Sequence, residues 1–274
     1  MKPFTDAQLI SGFESLCAVS LLVQAFEFWR LRSAHGPEGV WQWSIQRQDL
    51  VFAPRVVRAF FDTLFAPHFH AVHLVVRMLL AASLFWGSSL FSSTLLFLST
   101  ICVLIRWRGS FNGGSDFMTL VVLSGLLLTH LLAVWMPLEV SWRGGLWYVT
   151  IQSLTSYFIS GAIKLQHRPW RTGSALRLFL DTAIFGPLAT HSVWYRAGLA
   201  AWASWSFILW ECSAPLALLS TGSALIFCAL AAVFHGLVFW YFGLNRFFWA
   251  WAATFPAIIF CAADLQRISP VSTL

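Results

Sequence analysis

Charge is what this sequence has least of. Only 10% of its 274 residues are Asp, Glu, Lys or Arg, against 58% apolar, and the mean hydropathy is +0.72. A soluble domain carries about 25% charged residues because water must meet its surface, so a soluble globular fold is excluded for the chain as a whole. Lysine is nearly missing: Lys2 and Lys164 are the only two among seventeen basic residues. No run of basic residues exists, which argues against nucleic acid as a partner and for membrane-surface contacts. No C-x-x-C occurs, and Cys17, Cys102, Cys212, Cys228 and Cys261 all lie in apolar stretches. They read as small buried hydrophobes rather than disulfides or metal ligands. A cleavable signal is also not evident, since the first apolar stretch carries Glu14 and Glu27 and has no basic start. No polar stretch is long enough for a separate soluble domain, so the expectation is a single transmembrane domain over residues 1–274.

What is present is a succession of apolar runs. A span needs about 20 residues, and the pattern predicts an all-α polytopic membrane protein with eight transmembrane helices, at 9–29, 71–87, 90–106, 117–136, 145–165, 198–219, 223–243 and 247–263. Two further segments read as short interfacial amphipathic helices. In 55–66, Arg55, Arg58 and Asp62 share one face, with Val57, Phe60, Phe61 and Leu64 opposite. In 174–185, Arg177 and Asp181 oppose Leu176, Phe179, Leu180 and Ala183. Trp29, Trp107, Trp135 and Trp194 flank span ends as interface anchors. Eight spans put both termini on one side. Thirteen basic residues then fall on the opposite face and three on the face of the termini, so the positive-inside rule places both termini outside.

Ionisable groups inside a bilayer are costly, and each is a functional candidate with a structural rival, an interhelical hydrogen-bonded pair. Glu211 and His235 are the deepest, followed by Arg77, His130 and Glu27. Glu211 and His235 flank a tight hairpin near residues 220–223 at similar depth, which predicts a direct or one-water contact between them. The cluster His68, His70, His73 invites a metal reading. His68 falls off the face shared by the other two, and no cysteine or carboxylate is near, so interface histidines are the better account. The Gly-rich turn Asn112-Gly-Gly-Ser-Asp116 opens a helix. It reads as capping by Ser115 and Asp116 or as a small anion site, and it is no Walker loop because G-K-[ST] is missing. Lys164 ends an apolar helix, where a lysine either snorkels to the headgroups or serves as a base.

The run Tyr157-Phe-Ile-Ser-Gly-Ala-Ile-Lys164-Leu, followed by Trp170-x-x-Gly173-x-Ala175-Leu, resembles the signature of the HTTM superfamily. That family contains the membrane part of vitamin-K-dependent γ-glutamyl carboxylase. The turn Asn112–Asp116, the motif Glu211-x-x-x-Pro215, and Phe234-His235 followed by Phe247-x-Trp249-Ala-Trp251 agree in order. The resemblance implies a quinone or hydroquinone as cofactor and Lys164 as the base that starts its chemistry, with Asn112, Asp116, Glu211 and His235 as candidate substrate-binding residues, to which His130 is added as an ionisable group inside the bilayer. The carboxylase continues into a large lumenal region without a counterpart here, so a peptide substrate or a membrane protein partner would come from another chain. The charge count also puts Lys164 toward the cytoplasm, opposite to the carboxylase. Two functions are thus expected from different classes. One is a quinone-linked enzyme or maturation factor of the bacterial inner membrane. The other is an accessory subunit packed against a larger respiratory, photosynthetic or export complex.

Overall fold

The computed structural model describes residues 4–36, 38–107, 113–196 and 198–268, and among these every regular element is helical. The chain divides into two compact units, Ile10–Gly145 and Leu146–Leu274 with Met1–Leu9.

The unit Ile10–Gly145 is built on α1 (Asp6–Arg30), α3 (Arg55–Leu64), α4 (Pro67–Ser83), α5 (Leu90–Arg106) and α6 (Gly113–Leu132), with the short α2 (Trp43–Gln46) in the connection after α1. Pro67 starts α4 because the first helical turn does not need its missing N–H. Ser89 caps α5 in a reciprocal capping box with Ser92. Phe28, Leu74, Val103 and Trp107 close the core. Trp107 stacks on Phe28 at 4.3 Å and is only 3% exposed, so it is a core residue and not the interface anchor that its position at a helix end predicts. Trp86 and Trp135, both 86% exposed, keep the exposure such an anchor needs. Arg77 is fully buried. Its guanidinium donates to Gln24 Oε1 at 2.6 Å, Thr100 Oγ1 at 2.8 Å and Ser99 Oγ at 3.1 Å. One arginine thereby ties α1, α4 and α5 together.

The unit that contains Leu146–Leu274 holds most of α7 (Leu138–Gln166), then α8 (Arg168–Arg171), α9 (Ser174–Asp181), α10 (Leu199–Cys212), α11 (Thr221–Phe242), α12 (Asn245–Ala252) and α13 (Phe255–Ile268). The helix expected over 198–219 is broken. α10 stops at Cys212, and Ala214–Leu219 continues as a 3-10 helix with Pro215 in its first turn. A proline cannot donate to the carbonyl four residues back, which ends the α-helical ladder there. The turn expected after it is present: Ser220 caps α11 through a capping box with Ser223, and Gly243 ends α11 at φ +67°. The last expected helix is likewise split, because Pro256 sits at the start of α13. Asp181 accepts from the Leu188 N–H at 2.9 Å, fixing the loop after α9.

Among the described residues, four helices are long and apolar enough to cross a membrane: Asp6–Arg30, Gly113–Leu132, Thr221–Phe242 and the α12–α13 pair Asn245–Ile268. A fifth crossing arises if α3 and α4, bent by 78° at their junction, count as one. The coarse expectation, an all-α chain with several membrane-length apolar helices, is thus met.

Candidate functional site

Helix α7 carries a stripe at helical spacing: Tyr157, Ser160, Gly161 and Lys164 fall on one face. Gly161 lets α10 come close. A β-carbon there would lie 2.7 Å from the Cys212 nitrogen and 2.8 Å from Glu211 Cβ, so no larger residue fits without separating the helices. This close approach delivers the Glu211 carboxylate, 3% exposed, to Lys164. The Lys164 ammonium donates to Glu211 Oε2 at 2.6 Å, also to Glu211 Oε1, and to Ser160 Oγ at 2.9 Å. The Ser160 hydroxyl in turn donates to Glu211 Oε1 at 3.2 Å. Lys164 Nζ lies 5.2 Å from the centre of the Trp170 ring, a cation–π contact from α8. With its side chain 15% exposed, Lys164 is neither fully sunk nor free in solvent.

Trp170 is held in turn. Its carbonyl accepts from Ser204 Oγ at 2.5 Å. Three residues later Gly173 reverses the chain at φ +73°, where a β-carbon would collide with the Ala200 and Ala201 backbone. The spacing Trp170-x-x-Gly173 therefore has a physical reason: the tryptophan covers the lysine, and the glycine lets α8 and α9 turn against α10.

His235, 1% exposed, does not pair with Glu211. Its Nε2 bonds the Tyr157 hydroxyl at 2.6 Å, and its ring stacks on Trp251 at 5.1 Å. No direct Glu211–His235 bond forms, for a simple reason. A carboxylate in apolar surroundings is best met by an ammonium with further hydrogen bonds, and α7 offers each group its own partner. Those partners, Tyr157 and Lys164, are seven residues apart on α7, about 10 Å along its axis. Trp210, Phe227 and Trp251 pack around Tyr157, and Phe234, Phe247 and Trp251 around His235, as one aromatic cluster. Within it His235 Nδ1, Trp210 Nε1 and Trp251 Nε1 are buried without a partner.

The remaining candidates do not join this group. Asp116, in the first turn of α6, accepts from Gln24 Nε2 at 3.4 Å, and His130 Nε2 bonds Ser88 Oγ at 2.7 Å. Ser88 also donates to Glu14. All of these belong to the unit Ile10–Gly145. Asn112 lies outside the described residues. Tyr157, Ser160 and Trp170 stood in the motif that carries the resemblance, but sequence reasoning gave them no role at the site. The i, i+3, i+7 placement of Tyr157, Ser160 and Lys164 was the available signal. Among the described residues no group of three His, Cys, Asp or Glu is placed to hold a metal.

No family model matches the chain, and no curated protein or solved structure is detectably similar to it.

Proposed function

We propose that this chain is a multi-pass protein of the bacterial inner membrane, of the HTTM kind, that moves protons at a ring-shaped quinone or hydroquinone lipid with Lys164 as base. The observation that carries this reading is the Lys164–Glu211–Ser160 constellation under the Trp170 ring, a half-buried ion pair at the end of an apolar helix. In such surroundings the proton can pass from the ammonium to the carboxylate, which leaves a neutral amine able to take a proton from a ligand hydroxyl without net charge change. Ser160 orients the carboxylate during that exchange. The buried, unpartnered ring nitrogens of His235, Trp210 and Trp251 fit a ligand with an aromatic face and ring oxygens. A hydroquinone would supply the redox chemistry, and the chain would supply binding, orientation and the base.

Eight crossings accompany this reading. α10 rises about 21 Å, and its six-residue 3-10 extension adds about 12 Å, together close to a hydrocarbon core of about 30 Å. The 78° bend between α3 and α4 suits a surface helix leading into a span, as the charged face of α3 requires, and α9 would lie in the interface likewise. The test is turnover of a reduced short-chain hydroquinone by the purified protein. Lys164→Ala should abolish it with the fold intact, and so should Lys164→Arg, because arginine stays protonated. Wild-type turnover in the arginine variant would reduce Lys164 to an anchoring cation.

The accessory-subunit reading draws on a different observation. Ile226, Leu230, Val233, Leu237 and Trp240 form one exposed stripe along α11, each 44–66% exposed. Lipid or another membrane subunit would cover it. Stoichiometric co-purification of a membrane protein, lost on placing Asn at Val233, would favour the subunit.

A further inference from the structure

In the unit Ile10–Gly145, the C-terminal ends of α1 and α5 and the N-terminal turn of α4 surround a cavity of about 250 Å³. Its lining is basic: Arg32, His35, His68, His70 and Arg106 face it, and among the described residues no carboxylate does. Arg106 is 1% exposed. Its guanidinium donates to the Trp41 carbonyl at 2.8 Å, the His35 carbonyl at 3.1 Å and the Gln46 side-chain oxygen, which are all neutral acceptors. Its Nε has no partner. The Trp43 and Phe65 rings also face the guanidinium, but among the described residues no carboxylate pairs with it, and a buried arginine without a countercharge is an arrangement normally avoided. His35 and His70 are 6% and 5% exposed, their ring centres are 6.1 Å apart, and all four of their ring nitrogens lack a partner. Buried polar groups are otherwise nearly always satisfied. His70 also sits in the first turn of α4, where free N–H groups and the helix dipole favour negative charge.

We propose that this cavity binds a phosphate-bearing anion, held by Arg106, His35 and His70 at the N-terminus of α4. A phosphoryl group offers at least three strong acceptor oxygens where a carboxylate has two, which matches the number of unpartnered donors. A cation is the wrong ligand beside two arginines. Burial, with the neighbouring Arg106 charge and His70, pushes His35 down to about 3, so in the empty cavity its ring is neutral. A bound anion would offset the Arg106 charge and accept a hydrogen bond from the ring. The phosphate could be free in solution or be the headgroup of an anionic lipid, and the same donors serve both.

The purified full-length chain, followed by thermal unfolding, tests this. One arm titrates inorganic phosphate in detergent against sodium chloride at equal ionic strength. The other compares nanodiscs of phosphatidylcholine alone with nanodiscs containing phosphatidylglycerol. A saturable rise in Tm with phosphate assigns a free anion, and a rise confined to phosphatidylglycerol assigns a headgroup; either supports the site. His70→Phe removes two unpartnered nitrogens, so it should keep or raise the ligand-free Tm while weakening the response roughly tenfold or more. Arg32→Gln, an exposed change that leaves the core untouched, should weaken it several-fold and lower its salt dependence. A flat wild type in both arms overturns the proposal, as does an undiminished response in both variants.

Discussion

At the scale of single residues, the site depends on where a lysine and a glycine stand. Lys164→Met would leave the buried Glu211 carboxylate with Ser160 alone, and breaking such a pair costs about 3–5 kcal/mol. The double variant Lys164→Met with Glu211→Gln should recover most of that loss, and equilibrium unfolding in detergent measures the coupling. Gly173 makes a second case. Alanine at Gly186, at φ +83° with open space around it, should cost about 1 kcal/mol for its conformation alone. At Gly173 the same conformation comes with a collision against the Ala200 backbone, so the loss should exceed about 3 kcal/mol. Equal losses at the two positions would remove the packing argument. His35 gives a pH signature. It is depressed from 6.5 to about 3, so below its ordinary value the unfolded chain takes a proton that the folded chain refuses. Stability should therefore fall as pH drops from about 6.5 toward 3, and His35→Phe should flatten that decline. Arg106 and His70 face His35 from neighbouring elements and reinforce the effect, and Arg32 lines the same cavity from His35's own short turn.

At the scale of elements, apolar periodicity and capping chemistry were legible without coordinates, whereas breaks inside helices were not. α5 begins and ends at the expected residues, Leu90 and Arg106, because Ser89 and Ser92 form a box that only a helix start requires. The 3-10 stretch Ala214–Leu219 was read as helix despite Pro215, since apolar composition masked the missing donor. Lys164 and Glu211 were both visible as costly ions, but their pairing was not. Nothing in sequence order brings residue 211 to residue 164, and the determinant is Gly161, a residue without chemistry of its own. His235 was assigned to the wrong partner for the same reason. Caps are also testable at this scale. Ser220→Ala should cost about 1 kcal/mol, as loss of an N-cap does. Ser206→Ala, whose hydroxyl bonds only back to the Trp202 carbonyl within its own helix, should change stability little.

At the scale of the whole molecule, the proposed eight crossings put the N- and C-termini on one side and the connection carrying Arg30–Arg58 on the other. Reporter fusions at Leu274 and within that connection should report opposite compartments, and a cytoplasmic C-terminus would reverse the orientation drawn from thirteen basic residues against three. Compositional scarcity of charge was enough to infer lipid as solvent, but the number of crossings depends on helices such as α7, whose Gln152, Ser153, Ser156 and Ser160 dilute its hydropathy.

The burial of Arg77 also constrains how the chain is made. An arginine at mid-helix costs about 2.5–3.5 kcal/mol on insertion, and α4 adds His70 and His73 to that burden. Its relief is divided in time: Gln24 is synthesised long before α4, and Ser99 and Thr100 only after it. A nascent chain that ends just past α4 would hold an arginine with two of its three side-chain acceptors still unborn. With the eight crossings proposed above, α4 and α5 would leave the insertion machinery as a hairpin, with α1 waiting beside it, so that the order of synthesis would become part of the route to the native fold.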